Sequence, residues 1–171
     1  MQTKIISFAG NNLPEELQER VDIIRHKLKF SENKPTVACI ERMEPLTLSD
    51  NPARELVAIA GGIPVSAEAD EHSPNLPWDE IRLSDPDILI IMPRGFPIER
   101  TLSEIDLLLR LTGFDQLKAV KNNQVYIADG NRYFNHSGPR IVDSIEILAE
   151  IINPKQFIFG YEGDGWIKFA L

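Results

Sequence analysis

Apolar positions along this chain change period several times, and each change marks an element. Leu13, Leu17, Val21, Ile24 and Leu28 recur at helical spacing while Glu19, Arg20, Asp22, Arg25 and Lys27 fall elsewhere, which predicts an amphipathic helix ending near Phe30. Asn11 and Asn12 offer its cap, Pro14 suits the first turn, and Glu15 and Glu16 suit its positive end. Asn33-Lys34-Pro35 breaks the chain, and Thr36 to Ile40 then reads as a buried strand. Asn51-Pro52 opens a second helix that Gly61-Gly62 stops, and Ile63 to Val65 reads as a short strand. Trp78 stands at the mouth of a short helix over Asp79 to Leu83.

Ile88 to Met92 is an unbroken apolar run between turn formers, the pattern of a central strand buried on both faces. A helix is expected from Ile98 to Thr112, with Leu102, Ile105, Leu108 and Leu109 inward and Gly113 as its stop. A short helix around Phe114 to Val120 leads to another buried strand, Val125 to Ala128. Ile141, Ile145, Leu148 and Ile152 line the last long helix, which Asn153-Pro154 ends. The aromatic, glycine-rich tail FIFGYEGDGWIKFAL is expected to pack back on the body. Strands alternating with helices at this spacing predict an α/β fold, a Rossmann-like three-layer αβα lobe with a mostly parallel sheet of about four strands. Residues 1–30 form the leading segment and helix, and residues 31–171 a single α/β lobe.

Open α/β sheets place ligands at the carboxyl ends of their strands, so the loops there carry most of the information. The loop Asp129 to Arg140, DGNRYFNHSGPR, crowds Tyr133, Phe134, Asn135 and His136 into a turn that needs only Asn131, Gly130 and Gly138 to form. Two readings of the rings stand side by side: they dock something flat or apolar, or they tuck under the next helix as core. Pro93-Arg94-Gly95-Phe96-Pro97 is a second aromatic-and-glycine loop at a strand end, and the charged run from Glu41 to Leu46 is a third. With Trp78 nearby, these segments supply rings, a guanidinium and amides, a mix suited to gripping a large, partly flat, polar-edged molecule.

Composition narrows the partners. A net charge of −8 across 171 residues leaves no basic stripe for nucleic acid or an anionic membrane surface, and no apolar run is long enough to span a membrane or serve as a signal-peptide core. The single cysteine, Cys39 within TVACI, excludes an intramolecular disulfide and a multi-thiolate metal site and reads as a small core residue. The acidic stretch Ser66 to Pro77 surrounds His72 with Glu68, Asp70 and Glu71, yet matches no EF-hand or paired-histidine zinc pattern. No GxGxxG, GxxxxGK[ST] or GxSxG loop is present, so neither a phosphate cradle nor a nucleophile elbow exists. Asp129, His136 and Ser137 or Cys39 make no credible triad, since His136 and Ser137 are sequence neighbours. Non-enzymatic binding, with no catalytic residue, resident metal or intrinsic cofactor, is the expectation.

KPTVACIERMEPL, the AGG after a helix, DPDILIIMPRGF and QVYIADGNRYFNHSGPR together resemble the C-terminal lobe of ABC-transporter substrate-binding proteins of the cobalamin and iron-siderophore type, over roughly residues 14 to 154. The resemblance implies a periplasmic or envelope location and a corrinoid or metal-chelate ligand held in a cleft between two lobes joined by one long helix. Leu13 to Phe30 would be the later part of that helix. Tyr133, Phe134, Asn135 and His136 fall at family positions that contact ligand, as do Gly95 and Phe96; Arg94, Trp78 and Glu41 join them as candidates from the strand-end segments. Asp79 and Glu80 match the acids through which the family docks on its ABC permease, although acids opening a helix also answer its dipole. The family's N-terminal lobe, on the order of a hundred residues, has no counterpart here. A fragment, a split protein with the other lobe as a separate chain, and a homodimer are the expected alternatives, the last covering an apolar stripe that the leading helix would leave exposed. As written, without a signal peptide, the chain would stay in the cytoplasm. A half-lobe that binds a protein partner and no small ligand is the competing reading.

Overall fold

A computed structural model describes residues 13–49, 51–65, 76–134 and 140–170. In chain order the elements are α1 (Glu15–Leu28), β1 (Thr36–Met43), β2 (Leu46–Leu48), α2 (Asn51–Ile59), β3 (Ile63–Pro64), α3 (Leu76–Ser84), β4 (Ile88–Ile91), α4 (Ile98–Glu104), α5 (Asp106–Leu109), a 3-10 turn (Phe114–Gln116), α6 (Lys118–Lys121), β5 (Val125–Ala128), α7 (Ile141–Ile152) and β6 (Trp166–Lys168). Among the described residues the strands form one six-stranded sheet, ordered β2-β1-β4-β5-β6 with β3 beside the start of β1. The four expected strands β1, β3, β4 and β5 pair in parallel. Two antiparallel edge strands, β2 and β6, make the sheet mixed.

One edge of the sheet corrects an expectation and the other meets one. Glu41 to Met43 is not loop: β1 runs on through Met43 and turns back as β2, pairing Arg42 with Thr47 and Met43 with Leu46. The turn between them carries a cis Glu44–Pro45 bond. The tail does return to the body, as the strand β6 along β5. The expected helix from Ile98 is stepped at Ile105 into α4 and α5, and Leu102 points outward, 39% exposed, while Ile98, Thr101, Ile105 and Leu108 face the core.

Period-two alternation along the central strands divides the core into two layers. Val37, Cys39, Ile88, Ile90, Met92 and Tyr126 face α1, α2 and α7. Ala38, Ile40, Leu89, Ile91, Val125 and Ile127 face the opposite layer with Ile81, Leu108 and Phe114. Asp87 fastens the amino-terminal ends of β1 and β4: its carboxylate accepts the Thr36 N–H at 2.9 Å and the Thr36 hydroxyl at 3.2 Å, and Lys118 Nζ lies at 3.1 Å.

Helix α1 buries Val21, Ile24 and Leu28 against this core, each worth roughly 1.5–3 kcal/mol relative to exposure. Its apolar stripe is therefore covered within the chain, by α7 among others, and does not stand exposed as expected. Arg20 adds an ionic clasp, reaching Asp143 at 2.7 Å and Glu146, both on α7. Burial opposes charge on Arg20, but the hydrogen bonds to these two carboxylates outweigh it and hold the guanidinium protonated. Tyr161 donates its hydroxyl to Asp143 at 2.9 Å, so the tail joins the same network.

Candidate functional site

The chain leaving β4 continues alongside β1, with the Met92 N–H donating to the Ile40 carbonyl and the Arg94 N–H to the Glu41 carbonyl, both at 2.9 Å. Pro93 to Phe96 then forms a β-turn closed by Phe96 N–H to Pro93 O at 3.0 Å, with Gly95 at φ +81° in its third position. A side chain there would be strained, which is why the third position is glycine. The two sequence-predicted loops meet at this point. Gly130 donates to the Phe96 carbonyl at 2.9 Å and accepts from the Gly95 N–H at 3.1 Å. A β-carbon on Gly130 would lie 1.9 Å from the Pro93 carbonyl oxygen, so only glycine allows the approach. Buried Asp129 fixes the second loop by accepting the N–H groups of Asn131 at 2.9 Å and Arg132 at 2.8 Å, the Asx geometry that lets a turn leave a strand abruptly.

Below this rim lies a groove of about 670 Å³ between the β1–β2 hairpin and α4, within the size range of small-molecule sites. Glu41, Arg42, Met43, Glu44 and Thr47 contribute to one wall, and Arg94, Phe96, Arg100, Glu104 and Leu107 to the other. The Arg100 guanidinium lies 3.8 Å from the Phe96 ring centroid, a cation–π contact, and Arg100 Nε pairs with Glu104 at 3.2 Å. Arg94 pairs with Glu41, whose side chain is 17% exposed against 54% for Arg94. Guanidinium groups beside apolar side chains can hold the polar edges of a large ligand while Phe96 and Leu107 meet its flat or apolar part.

Of the expected ligand residues, the structure brings Glu41, Arg94 and Phe96 together around this groove, with Gly95 shaping the turn between the last two. Tyr133 goes elsewhere. Its ring is 8% exposed and belongs to the core layer of α1, α2 and α7, edge-on to Tyr161 with centroids 5.7 Å apart. Of the two readings of this ring the structure takes core, against the ligand contact that the resemblance implies: the chain turns at Asp129 and the ring packs with α7, where Ser144 Oγ also grips the Tyr133 carbonyl. Phe134 is half-buried against that same layer. Asn135 and His136 lie outside the described residues, as do the acidic loop with His72 and all of Met1 to Asn12.

Trp78 does not line the groove. Its ring stacks on Phe114 at 6.2 Å, and its indole N–H donates to the Thr112 carbonyl at 3.0 Å. Asp79, one of the two expected docking acids, is exposed, with Arg82 3.8 Å away. Glu80 is half-buried, and one of its carboxylate oxygens is enclosed with no hydrogen-bond partner among the described residues. Cys39 is buried, and burial pushes its thiol up to about 12 against the opposing hydrogen bond with Ser49, so it is inert. No group of three metal-ligating side chains occurs among the described residues, and no helix among them is long and apolar enough to cross a membrane.

Sequence reasoning missed Arg100, Glu104 and Leu107. Arg100 follows Phe96 by four residues across a helix start, a spacing that brings such side chains onto one face. That was the available signal.

The described residues thus form an α/β lobe whose strand-end loops are tied together above a charged groove. Residues 9–131 match the model of a periplasmic binding protein family, and the chain belongs to that family. Solved structures agree on the fold. The TroA-like periplasmic binding protein FepB from Veillonella parvula is 22% identical with a TM-score of 0.62, over 83% of this chain and 47% of that one. IsdE from S. aureus, solved with heme, is 21% identical with a TM-score of 0.62, over 81% and 56%. An ABC-type Fe3+-hydroxamate transport system protein from Saccharomonospora viridis is 20% identical with a TM-score of 0.61, over 81% and 47%. The chain thus spans about half the length of each. No curated protein matches it significantly.

Proposed function

We propose that this chain is one lobe of the substrate-binding component of an ABC importer, non-catalytic, and that its groove forms one wall of a cleft for a metal chelate. Residues 1–30 are then the leading segment with the linking helix, and residues 31–171 the lobe. The observation that carries the reading is the groove, where Phe96 under Arg100 and the Arg94–Glu41 pair sit at the carboxyl ends of the parallel strands β1 and β4, the place where α/β folds bind ligands. Heme and an Fe3+-hydroxamate are named with two structural neighbours, and both are partly flat or polar-edged ligands of the class the groove suits. A corrinoid such as cobalamin belongs to the same class. Asn135 and His136 are kept as candidate ligand contacts in this proposal, while Tyr133 acts by holding the loop and not by stacking on ligand. Asp79 is the exposed acid for docking on the permease, and the periplasm or cell envelope is the site of action.

A second lobe would supply the opposite wall, from a longer polypeptide or a separate chain. Calorimetric and absorbance titrations with haem, ferric hydroxamate and cobalamin, with and without the N-terminal lobe of a relative added in trans, test the proposal. One of the three should saturate at one site, more tightly with the added lobe, and Arg100→Ala should weaken it. If none binds under either condition, the chain is an interaction module and not a ligand-binding lobe.

A further inference from the structure

The face of α1 turned away from the core has a charge order that matches itself when reversed. Ile23 stands at its middle, 52% exposed, although its helix neighbours Val21 and Ile24 are fully buried. Four residues before it is exposed Glu19, and four after it is exposed Lys27. Glu15, Glu16 and Glu19 lie in the first half of the helix and Arg25, His26 and Lys27 in the last; of the two exceptions, Arg20 is tied to α7 and Asp22 accepts from the Gln18 amide at 3.0 Å. A shallow hollow on this face is lined by Glu19, Asp22, Ile23, His26 and Lys27.

We propose that a second copy of this chain docks here, α1 against α1, antiparallel about a two-fold axis at Ile23. In that arrangement each residue a given number of steps before Ile23 meets the residue as many steps after it on the other copy. Glu19 of each copy meets Lys27 of the other, twice by symmetry, and the two Ile23 side chains meet at the axis. An isologous contact must be self-complementary in this sense. A parallel pair would instead set acids against acids and bases against bases, so the charges select one orientation. Phe30, 82% exposed just beyond the helix end, would be covered in part by the first turn of the partner helix. So the copy would shield two of the large apolar side chains that the described residues leave in water, Ile23 and Phe30.

The pairing has a geometric consequence that separates it from cleft closure. Leu28 lies against Gly61, at the strand ends opposite the groove, whereas Arg20 reaches the amino-terminal turn of α7, which follows the rim. Helix α1 therefore runs from the rim downward, and an antiparallel pair points the two grooves in opposite directions. The second copy does not stand in for a second lobe. This inference is independent of the ligand reading.

The test is sedimentation velocity and light scattering on the full chain from micromolar to millimolar concentration, at low and high salt. An interface of this small class is weak, so reversible dimers with a dissociation constant on the order of 100 μM are expected, loosening as salt screens the charge pairs. Glu19→Lys and Lys27→Glu should each weaken self-association by about tenfold or more, and mixing the two variants should restore it as a heterodimer, because every contact is then opposite in sign. Ile23→Lys should abolish it, with thermal melts showing the fold intact. A chain that stays monomeric to about 1 mM overturns the proposal. So does a dimer indifferent to Ile23→Lys and to charge reversal, which would use another face. Charge-reversed variants that fail to recover on mixing would overturn the antiparallel register.

Discussion

Gly130 and Pro93 approach so closely that a β-carbon on the glycine would sit 1.9 Å from the proline carbonyl oxygen. This contact joins the loop after β5 to the loop after β4, and the reciprocal hydrogen bonds between Gly130, Gly95 and Phe96 depend on it. The clash would be with backbone, which cannot rotate away. Gly130→Ala should therefore destabilise the protein by about 2 kcal/mol or more. Gly95→Ala, with open space around it but φ +81°, should cost only about 1 kcal/mol. Urea denaturation of both variants checks the order.

Tyr133 is the next case. With its ring buried beside Tyr161, Tyr133→Ala should cost about 3 kcal/mol or more of stability, as truncation of a buried aromatic does. Phe134→Ala, at a half-buried position, should cost less. The decisive measurement is denaturation of each single variant, and a Tyr133→Ala chain of unchanged stability would mean the ring is not core.

Phe96→Ala and Arg100→Ala act on the opposite side of the sheet. Both side chains line the groove and form one cation–π pair, so either change should lower the affinity for a bound chelate by about tenfold. Their effect on the melting temperature should be small, since neither side chain is fully buried. Isothermal titration of both variants beside the parent chain checks this.

The Asp87 carboxylate is held below its ordinary value of 3.8, first by the Thr36 backbone N–H and then by Lys118. A carboxylate with a depressed value in the folded state stabilises the fold above its unfolded value, and that contribution fades as the pH falls through the folded one. Asp87→Asn should therefore be less stable than the parent at neutral pH, with the difference narrowing below about pH 4 and vanishing in stronger acid. Denaturation curves at intervals from pH 7 to pH 2 would show it.

Burial places the Cys39 thiol at about 12. In the native protein at pH 8 it should resist iodoacetamide, then react at once in about 6 M guanidinium. Mass spectrometry of the alkylated chain reads the result.

The central strands and the amphipathic helices were legible because burial imposes a period. Ile88 to Met92 and Val125 to Ala128 have no alternative to the middle of a sheet, and the stripe of α1 marks a single face. The meeting of the two strand-end loops was also legible, because open sheets gather such loops on one edge. The direction of Tyr133 was not. Composition shows a surplus ring, but the Asx turn from Asp129 decides which side of the sheet receives it, and that is a matter of backbone path. The edge strands β2 and β6 escaped for a related reason. Leu46–Leu48 and Trp166–Lys168 are three residues each, too short for a period to emerge, and they pair only because a neighbouring strand is already in place.

The β1–β2 hairpin carries one further implication. It places Arg42, Met43 and Thr47 on strands bonded to the rest of the sheet, so that jaw cannot shift without disturbing the core. Across the groove, Arg94 and Arg100 reach out on long, half-solvated side chains from a turn and a helix start. A molecule entering between them meets an anvil on one side and an adjustable grip on the other. On the proposed chelate reading, substitutions that retune ligand preference should fall at Arg94, Arg100 and Glu104, where the shape can change at little cost to the fold.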